Sequence, residues 1–251
     1  MRFPILAARL ALVALALATA IAAAAMIGVR AGMTDFSTGQ EIMAGSVAFG
    51  GIALVLAVIW TVHALRHNRG EAKRAGMTAL IGSLILLYIP LHTVYEGWTA
   101  PAIHDVTTDP DDPPAYVALA GKAPDASRFD AGEKIHYRGE YNTVSYMLHT
   151  YYTELTKPLA LIMPPAKMFW RCFNAAKKMG WRIVDYSEKD GRIEATATSF
   201  WFGQVSDIVI RVRPAGTLGA RFDMRARSRS NERDFGRSLE LMKAYRGALA
   251  S

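Results

Sequence analysis

Cysteine is nearly absent: Cys172 stands alone among 251 residues. That excludes an intrachain disulfide framework and a zinc site built from cysteines. Several chemistry-bearing motifs are missing as well. There is no G-x-S-x-G elbow, no H-E-x-x-H, no Walker-type phosphate loop and no dinucleotide fingerprint. His104, His136 and His149 are not spaced as ligands, so the sequence calls for no metal and no cofactor. Charge is sparse, at 20% against 51% hydrophobic residues, which excludes a disordered chain.

What is present begins with three apolar runs. Leu10–Val29 carries no charge, Ile42–Leu65 has only His63 ionisable, and Met77–Tyr95 has only His92. Each is long enough to cross a hydrocarbon layer of about 30 Å. The first also has the outline of a signal peptide, with Arg2 before it and Ala18-Thr19-Ala20 as a cleavage-like triplet, but the apolar run continues past that triplet. His63 and His92 lie near span ends, where an imidazole reaches water at the interface.

Basic residues in short loops set the orientation. Residues 1–95 hold seven basic side chains and three acidic ones, and the loop Arg66–Ala75 alone has four basic and one acidic. The N-terminus and that loop are expected in the cytoplasm. Three spans then put everything after Tyr95 on the far side: a bacterial inner-membrane protein with a periplasmic C-terminal domain. The net charge of +7 is therefore no sign of a nucleic-acid partner. The divisions expected are a membrane region 1–95, a connector 96–156 and a folded domain 157–251.

In the connector, Pro110, Pro113 and Pro114 favour extended backbone. Asp105, Asp109, Asp111 and Asp112 raise the question of calcium, but the spacing lacks the central Gly and terminal Glu of an EF-hand loop. The segment reads as a stiff spacer holding the domain off the membrane, and 121–156 as an ordered loop with some helix.

Residues 157–251 carry readable periodicity. Lys157–Met163 predicts a strand. Pro164-Pro165 opens a helix with the stripe Phe169, Cys172, Ala176 and Met179, closed by Gly180. Strands follow over Trp181–Ser187, Arg192–Ser199, Ser206–Arg213 and Arg221–Arg229, with a turn at Asp190-Gly191. Phe169, Trp181, Ile193, Ile208, Ile210 and Phe222 fall on inward faces. A last helix is expected over Asp234–Leu249, with Phe235, Leu239, Met242 and Leu249 inward. The fold class is α+β: three transmembrane helices, then an antiparallel sheet in β-α-β-β-β-β-α order, as in helix-grip or TATA-binding-protein-like folds.

The outward phase of the last two strands is rich in arginine. Asp207, Arg211 and Arg213 alternate on one, and Arg221, Asp223, Arg225, Arg227 and Arg229 on the other. A hairpin would set Arg211 opposite Asp223 and Asp207 opposite Arg227. This is either a solvated face laced with salt bridges or, given the surplus of arginines over aspartates, a site for an anionic lipid or glycan. Between strands, Ser199-Phe200-Trp201-Phe202-Gly203 cannot turn three aromatics into one core. Trp201 or Phe202 either plugs the core's end or forms an apolar lip. The candidate binding residues are thus Trp201, Phe202, Asp207, Arg211, Arg213, Arg225, Arg227 and Arg229.

The stretch GWRIVDYSEKDGRIEATATSFWFGQVSDIVIRVRP, Gly180 to Pro214, resembles the DUF1499 family. Asp105–Pro114 is similar to the Pro/Asp segment that precedes that domain, and Arg229-Ser230 with Asp234-Phe235-Gly236 to its entry into the last helix. Residues 121–150 are longer than the family's usual connection, and Ser238 stands where an Asn is expected. The resemblance spans about 103–249 and implies the domain, not an activity. The sequence thus favours a binding or structural module for an anionic envelope component. The alternative is a periplasmic enzyme, such as a hydrolase, or a partner of one.

Overall fold

The computed structural model describes residues 3–67, 70–99, 101, 103–122, 129–157, 159–229 and 236–250. The chain divides into two compact units: Met1–Tyr95 with Phe200–Gly203, and Glu96–Ser199 with Gln204–Ser251.

The first unit is helical. Helices α1 (Phe3–Arg30), α2 (Phe36–Arg66) and α3 (Gly70–Thr99) contain the expected apolar runs. Three segments, Arg9–Arg30, Phe36–Arg66 and Lys73–His92, have the length and composition to cross a membrane. Asp35 caps α2, accepting a hydrogen bond of 2.8 Å from the Thr38 amide. On α2 the buried positions Ser46, Gly50, Ala53, Ala57, Trp60 and Ala64 recur every three or four residues. All but Trp60 are small residues, which let backbones approach, as helices without a hydrophobic driving force between them require. Ala11, Ala57 and Ala79, one from each helix, meet in a single cluster. The one polar member of the α2 stripe is satisfied internally: Ser46 Oγ donates to the Ala18 carbonyl at 2.8 Å.

The second unit is an antiparallel sheet with helices on one face. Its elements are β1 (Asp105–Thr107), β2 (Lys134–Tyr137), β3 (Glu140–Thr143), α4 (Val144–Tyr151), α5 (Thr153–Thr156), β4 (Leu159–Leu161), α6 (Pro165–Lys178), β5 (Arg182–Ser187), β6 (Arg192–Thr198), β7 (Val205–Ala215), β8 (Gly219–Ser228) and α7 (Arg237–Ala250). The sheet runs β1-β8-β7-β6-β5, with β4 also pairing β8. From β4 onward this is the expected β-α-β-β-β-β-α order. The inward phase is as read: Phe169, Trp181, Ile193, Ile208, Ile210 and Phe222 are all buried in one core with α4, α6 and α7. Gly180 closes α6 with φ +75°, the left-handed conformation a helix C-terminus favours. Trp181 stacks on Tyr245 of α7 at 5.0 Å, and the Tyr245 hydroxyl donates to the Cys172 carbonyl at 2.8 Å. The expected helix start at Asp234 and the core position Phe235 lie outside the described residues.

The connector departs from its reading as a spacer. Asp105–Thr107 is a strand of the sheet, in register with Arg225–Arg227 of β8. The chain beyond it crosses the face opposite the helices, where Tyr116 and Leu119 pack on Val209. The reason is electrostatic as much as apolar, because that face offers arginines to which the connector brings acids. The face expected to be solvated is therefore an interior: Glu194, Thr196, Asp207, Val209, Asp223 and Arg225 are buried. Residues 129–156 are also more regular than expected, with the β2–β3 hairpin preceding α4 and α5.

Candidate functional site

The register between β7 and β8 places Arg211 opposite Asp223 and Asp207 opposite Arg227, as the alternation implies. The ion pairs do not all follow the register. Asp207 is held by Arg229, whose Nε and Nη2 both reach its carboxylate at 2.8–3.0 Å. Arg227 lies 3.8 Å from Asp105 instead.

Two arginine groups result. In the first, Arg211, Arg213 and Arg221 converge on a single oxygen, Asp223 Oδ2, at 3.1, 2.8 and 3.7 Å. Asp109 of the connector meets the same three guanidinium groups at 3.9, 3.3 and 3.2 Å. Asp112 closes the cluster on the outside, 3.2 Å from Arg211 and 2.5 Å from Arg213. Its side chain is 60% exposed, whereas that of Asp223 is fully buried. The hydrogen bond from Arg213, with the nearby charge of Arg211, holds the Asp112 carboxyl below its ordinary range. Asp223 Oδ1 and Arg213 Nε are buried without a hydrogen-bond partner among the described residues.

The second group is internal. Arg225 is 2% exposed and pairs with Asp105 through two hydrogen bonds of 2.9 and 2.6 Å. Burial works against its charge, but the Asp105 hydrogen bond and attraction outweigh that and keep the guanidinium firmly protonated. It also lies 5.0 Å above the Tyr116 ring, and the Tyr116 hydroxyl donates to the Asp207 carbonyl at 2.9 Å. Burial, reinforced by the Asp105 charge, pushes that phenol well above its ordinary value. Beside this group, Glu194 is wholly buried yet fully employed. Its carboxylate accepts from the amides of Val117, Ala118 and Leu119 at 2.8, 3.1 and 2.8 Å, and from Arg192. One side chain thus pins the connector turn to the sheet.

The structure therefore brings together Arg211 and Arg213, adds Arg221, and sets Asp207, Arg225, Arg227 and Arg229 apart as a mostly buried network. The arginine surplus inferred from the strands alone is reduced by Asp105, Asp109 and Asp112, because the connector folds onto the same face. Trp201 and Phe202 do not join either group. Their loop belongs to the helical unit, where Phe202 stands edge-on to Phe36 at 5.5 Å and Arg30 donates to the Phe200 carbonyl. Asp109 and Asp112 enter the sequence reading only as a question of calcium, set aside for a spacer, and Glu194 and Tyr116 are not among its site residues. The one signal for the aspartates was complementarity of charge: an acid-rich run of DPDDPP in a chain whose last strands hold more arginine than acid. Among the described residues no three His, Cys, Asp or Glu side chains are grouped to hold a metal ion.

A family model described as a protein of unknown function, DUF1499, matches residues 105–249. No curated protein and no solved structure shows a match. The matched span begins at the first residue of β1, so it takes in the connector together with the sheet that the connector covers.

Proposed function

The chain belongs to the DUF1499 family, and from that premise, which fixes a domain but no activity, we propose that it is a membrane-anchored binding module for an anionic envelope component. The observation that carries this reading is the convergence of Arg211, Arg213 and Arg221 on Asp223 and Asp109. Three planar guanidinium forks within reach of one point suit the several oxygens of a phosphate or carboxylate group. Asp112 is the exchangeable member. It is the exposed carboxylate of the cluster, and an incoming anion takes its place on Arg211 and Arg213 while Asp223 and Asp109 keep the forks aligned. The component is a lipid headgroup or an acidic glycan at the periplasmic face of the inner membrane.

The test uses the full chain in neutral detergent, with native mass spectrometry against phosphatidylglycerol, phosphatidylcholine and a hexuronate oligosaccharide. Retention of phosphatidylglycerol or the hexuronate, but not of phosphatidylcholine, is expected, and whichever is retained names the source. Asp112→Asn should tighten retention by removing the internal competitor. Arg213→Gln with Arg221→Gln should abolish it. Equal retention of all three probes by wild type, or no effect of Asp112→Asn, overturns the reading.

A further inference from the structure

Helix α6 carries two exposed lines of side chains besides its buried stripe. Lys167, Arg171, Asn174 and Lys178 recur every three or four residues on the side away from the buried Phe169, Cys172 and Ala176. Trp170, Phe173 and Lys177 form the neighbouring line, beside the edge strand β5. There the rings of Phe173 and Trp170 stand 5.1 and 6.2 Å from that of Tyr186, and 5.3 Å from each other. Trp170 is 40% exposed and Tyr186 50%. A basic ridge thus runs beside an aromatic wall.

The charge on α6 is of one sign, four basic residues and no acid over Pro165–Lys178. Arg171 donates to the Leu249 carbonyl, and Lys177 lies 5.8 Å over the Phe173 ring. Lys167, Lys177 and Lys178 make no ion pair among the described residues. The Arg211 cluster is the reverse case, with an aspartate on every guanidinium. The positive charge left without a partner therefore lies on α6, and it calls for an anion. Lys167 and Lys178 stand about three turns apart, about 17 Å at 1.5 Å per residue. That is longer than a single headgroup and suits a chain of regularly spaced anions.

The same face disfavours other partners. Addition of a strand to the free edge of β5 is blunted by the bulge between Ile183 and Asp185. Insertion into a bilayer needs several large apolar side chains, and Trp170 is the only one that α6 exposes. An acidic glycan needs flat rings for the C–H faces of its sugars and cations for its carboxylates, and both are here.

We propose that the outer face of α6, Lys167, Trp170, Lys177 and Lys178 with Tyr186 of β5, binds a linear acidic glycan that runs along the helix. Its carboxylates meet the lysines and a sugar ring stacks on Trp170. The choice of a glycan over a nucleic acid rests on the orientation read from the basic loop. The surface is on the helix side of the sheet and the Arg211 cluster on the other, so each stands or falls without the other.

The test is the affinity of the full chain, in neutral detergent, for immobilised hexuronate octamer, hexuronate disaccharide, polyphosphate, a neutral glucan and an oligothymidylate. The disaccharide is too short for the ridge and reports the Arg211 cluster alone. The octamer should bind at least tenfold more tightly than any other probe, and less tightly as salt rises. Lys167→Gln with Lys178→Gln should lower octamer affinity at least tenfold at unchanged Tm, because exposed charges add little to stability. Lys167→Arg with Lys178→Arg should keep it. Trp170→Ser should lower octamer affinity at least threefold and leave that for polyphosphate unchanged. Arg213→Gln with Arg221→Gln should leave octamer affinity within twofold. An octamer bound no better than the disaccharide or polyphosphate, tighter binding of the oligothymidylate, or no effect of the lysine changes overturns the proposal.

Discussion

Gly191 is the residue at which one methyl group has the clearest consequence. Its φ is +63°, and a Cβ there would stand 2.1 Å from the carbonyl oxygen of Val212 on β7. The same contact carries a hydrogen bond, Val212 N to the Gly191 carbonyl at 2.7 Å. Gly191→Ala therefore combines left-handed strain with a backbone clash that no rotamer relieves. A loss of about 2–4 kcal/mol is expected in chemical denaturation of the full chain. Ile210, fully buried at the centre of β7, is the matching test of the core. Ile210→Ala should cost about 2–5 kcal/mol in the same assay, and a loss near zero would mean the strand's phase is inverted. Cys172 gives a third observable. Burial pushes its thiol up to about 12, so almost no thiolate exists at pH 8. Ellman's reagent should leave the native protein unmodified for as long as it stays folded, and react at once in denaturant. The sequence carried the Asp190-Gly191 turn and the inward phase of Ile210 plainly, since both are local patterns. The approach of Gly191 to Val212 was not legible, because it is set by the β6–β7 register, which pairs Arg192 with Arg211 and so brings Val212 onto the turn.

Among the elements, the connector is the one whose role the pattern hid. Its apolar contribution to the second layer rests on Tyr116 and Leu119, too few to make a period, and its charged partners lie about a hundred residues further along. The strands and α6 were legible because period 2 and period 3.6 are written within one element. The β2–β3 hairpin was not, since strands of four residues with polar and aromatic neighbours carry almost no period. The connector's attachment can be read by hydrogen exchange. Glu194→Ala leaves the amides of Val117, Ala118 and Leu119 without their acceptor, so their protection should fall by at least tenfold while the β6–β7 amides keep theirs. Acid gives a second handle. The Asp112 carboxyl is held below its ordinary 3.8 by Arg213, so its contribution is complete above that pH and disappears as pH falls through the depressed value. Protection of the 109–122 amides, corrected for the intrinsic exchange rate, should not change between pH 7 and 5. Loosening of the backbone about Asp112 alone, read by hydrogen exchange, should begin below pH 4 and should already be present at pH 7 in Asp112→Asn, with Asp109 and the 117–119 turn still held.

For the whole molecule, orientation is the property still open to a direct measurement. The basic loop Arg66–Ala75 and the three spans predict that a phosphatase fused after Ser251 is active outside the cytoplasm and one fused at Gly70 is not. The reverse pattern would move the sheet unit, and every proposal about its ligand, into the cytoplasm. Membrane helices and core sheet were visible in the sequence because hydropathy and period are properties of single segments. The arginine site was visible only in half, because its acids come from a segment read separately. The distance in sequence between those two halves has a consequence in time. Strand β1 leaves the ribosome about 120 residues before the partner it pairs with on β8. At about 5–20 residues per second, Asp105 waits roughly 6–24 s before Arg225 exists. Through most of that interval the first-made strand and its acidic run have nothing to close onto, since the β7 arginines that hold Asp109 and Asp112 precede Arg225 by only about a dozen residues. When β8 arrives it must find a partner across a very long loop, the kind of non-local closure that slows folding most. The domain is thus finished at its oldest strand, and a chain cut anywhere before β8 leaves β1 unpaired.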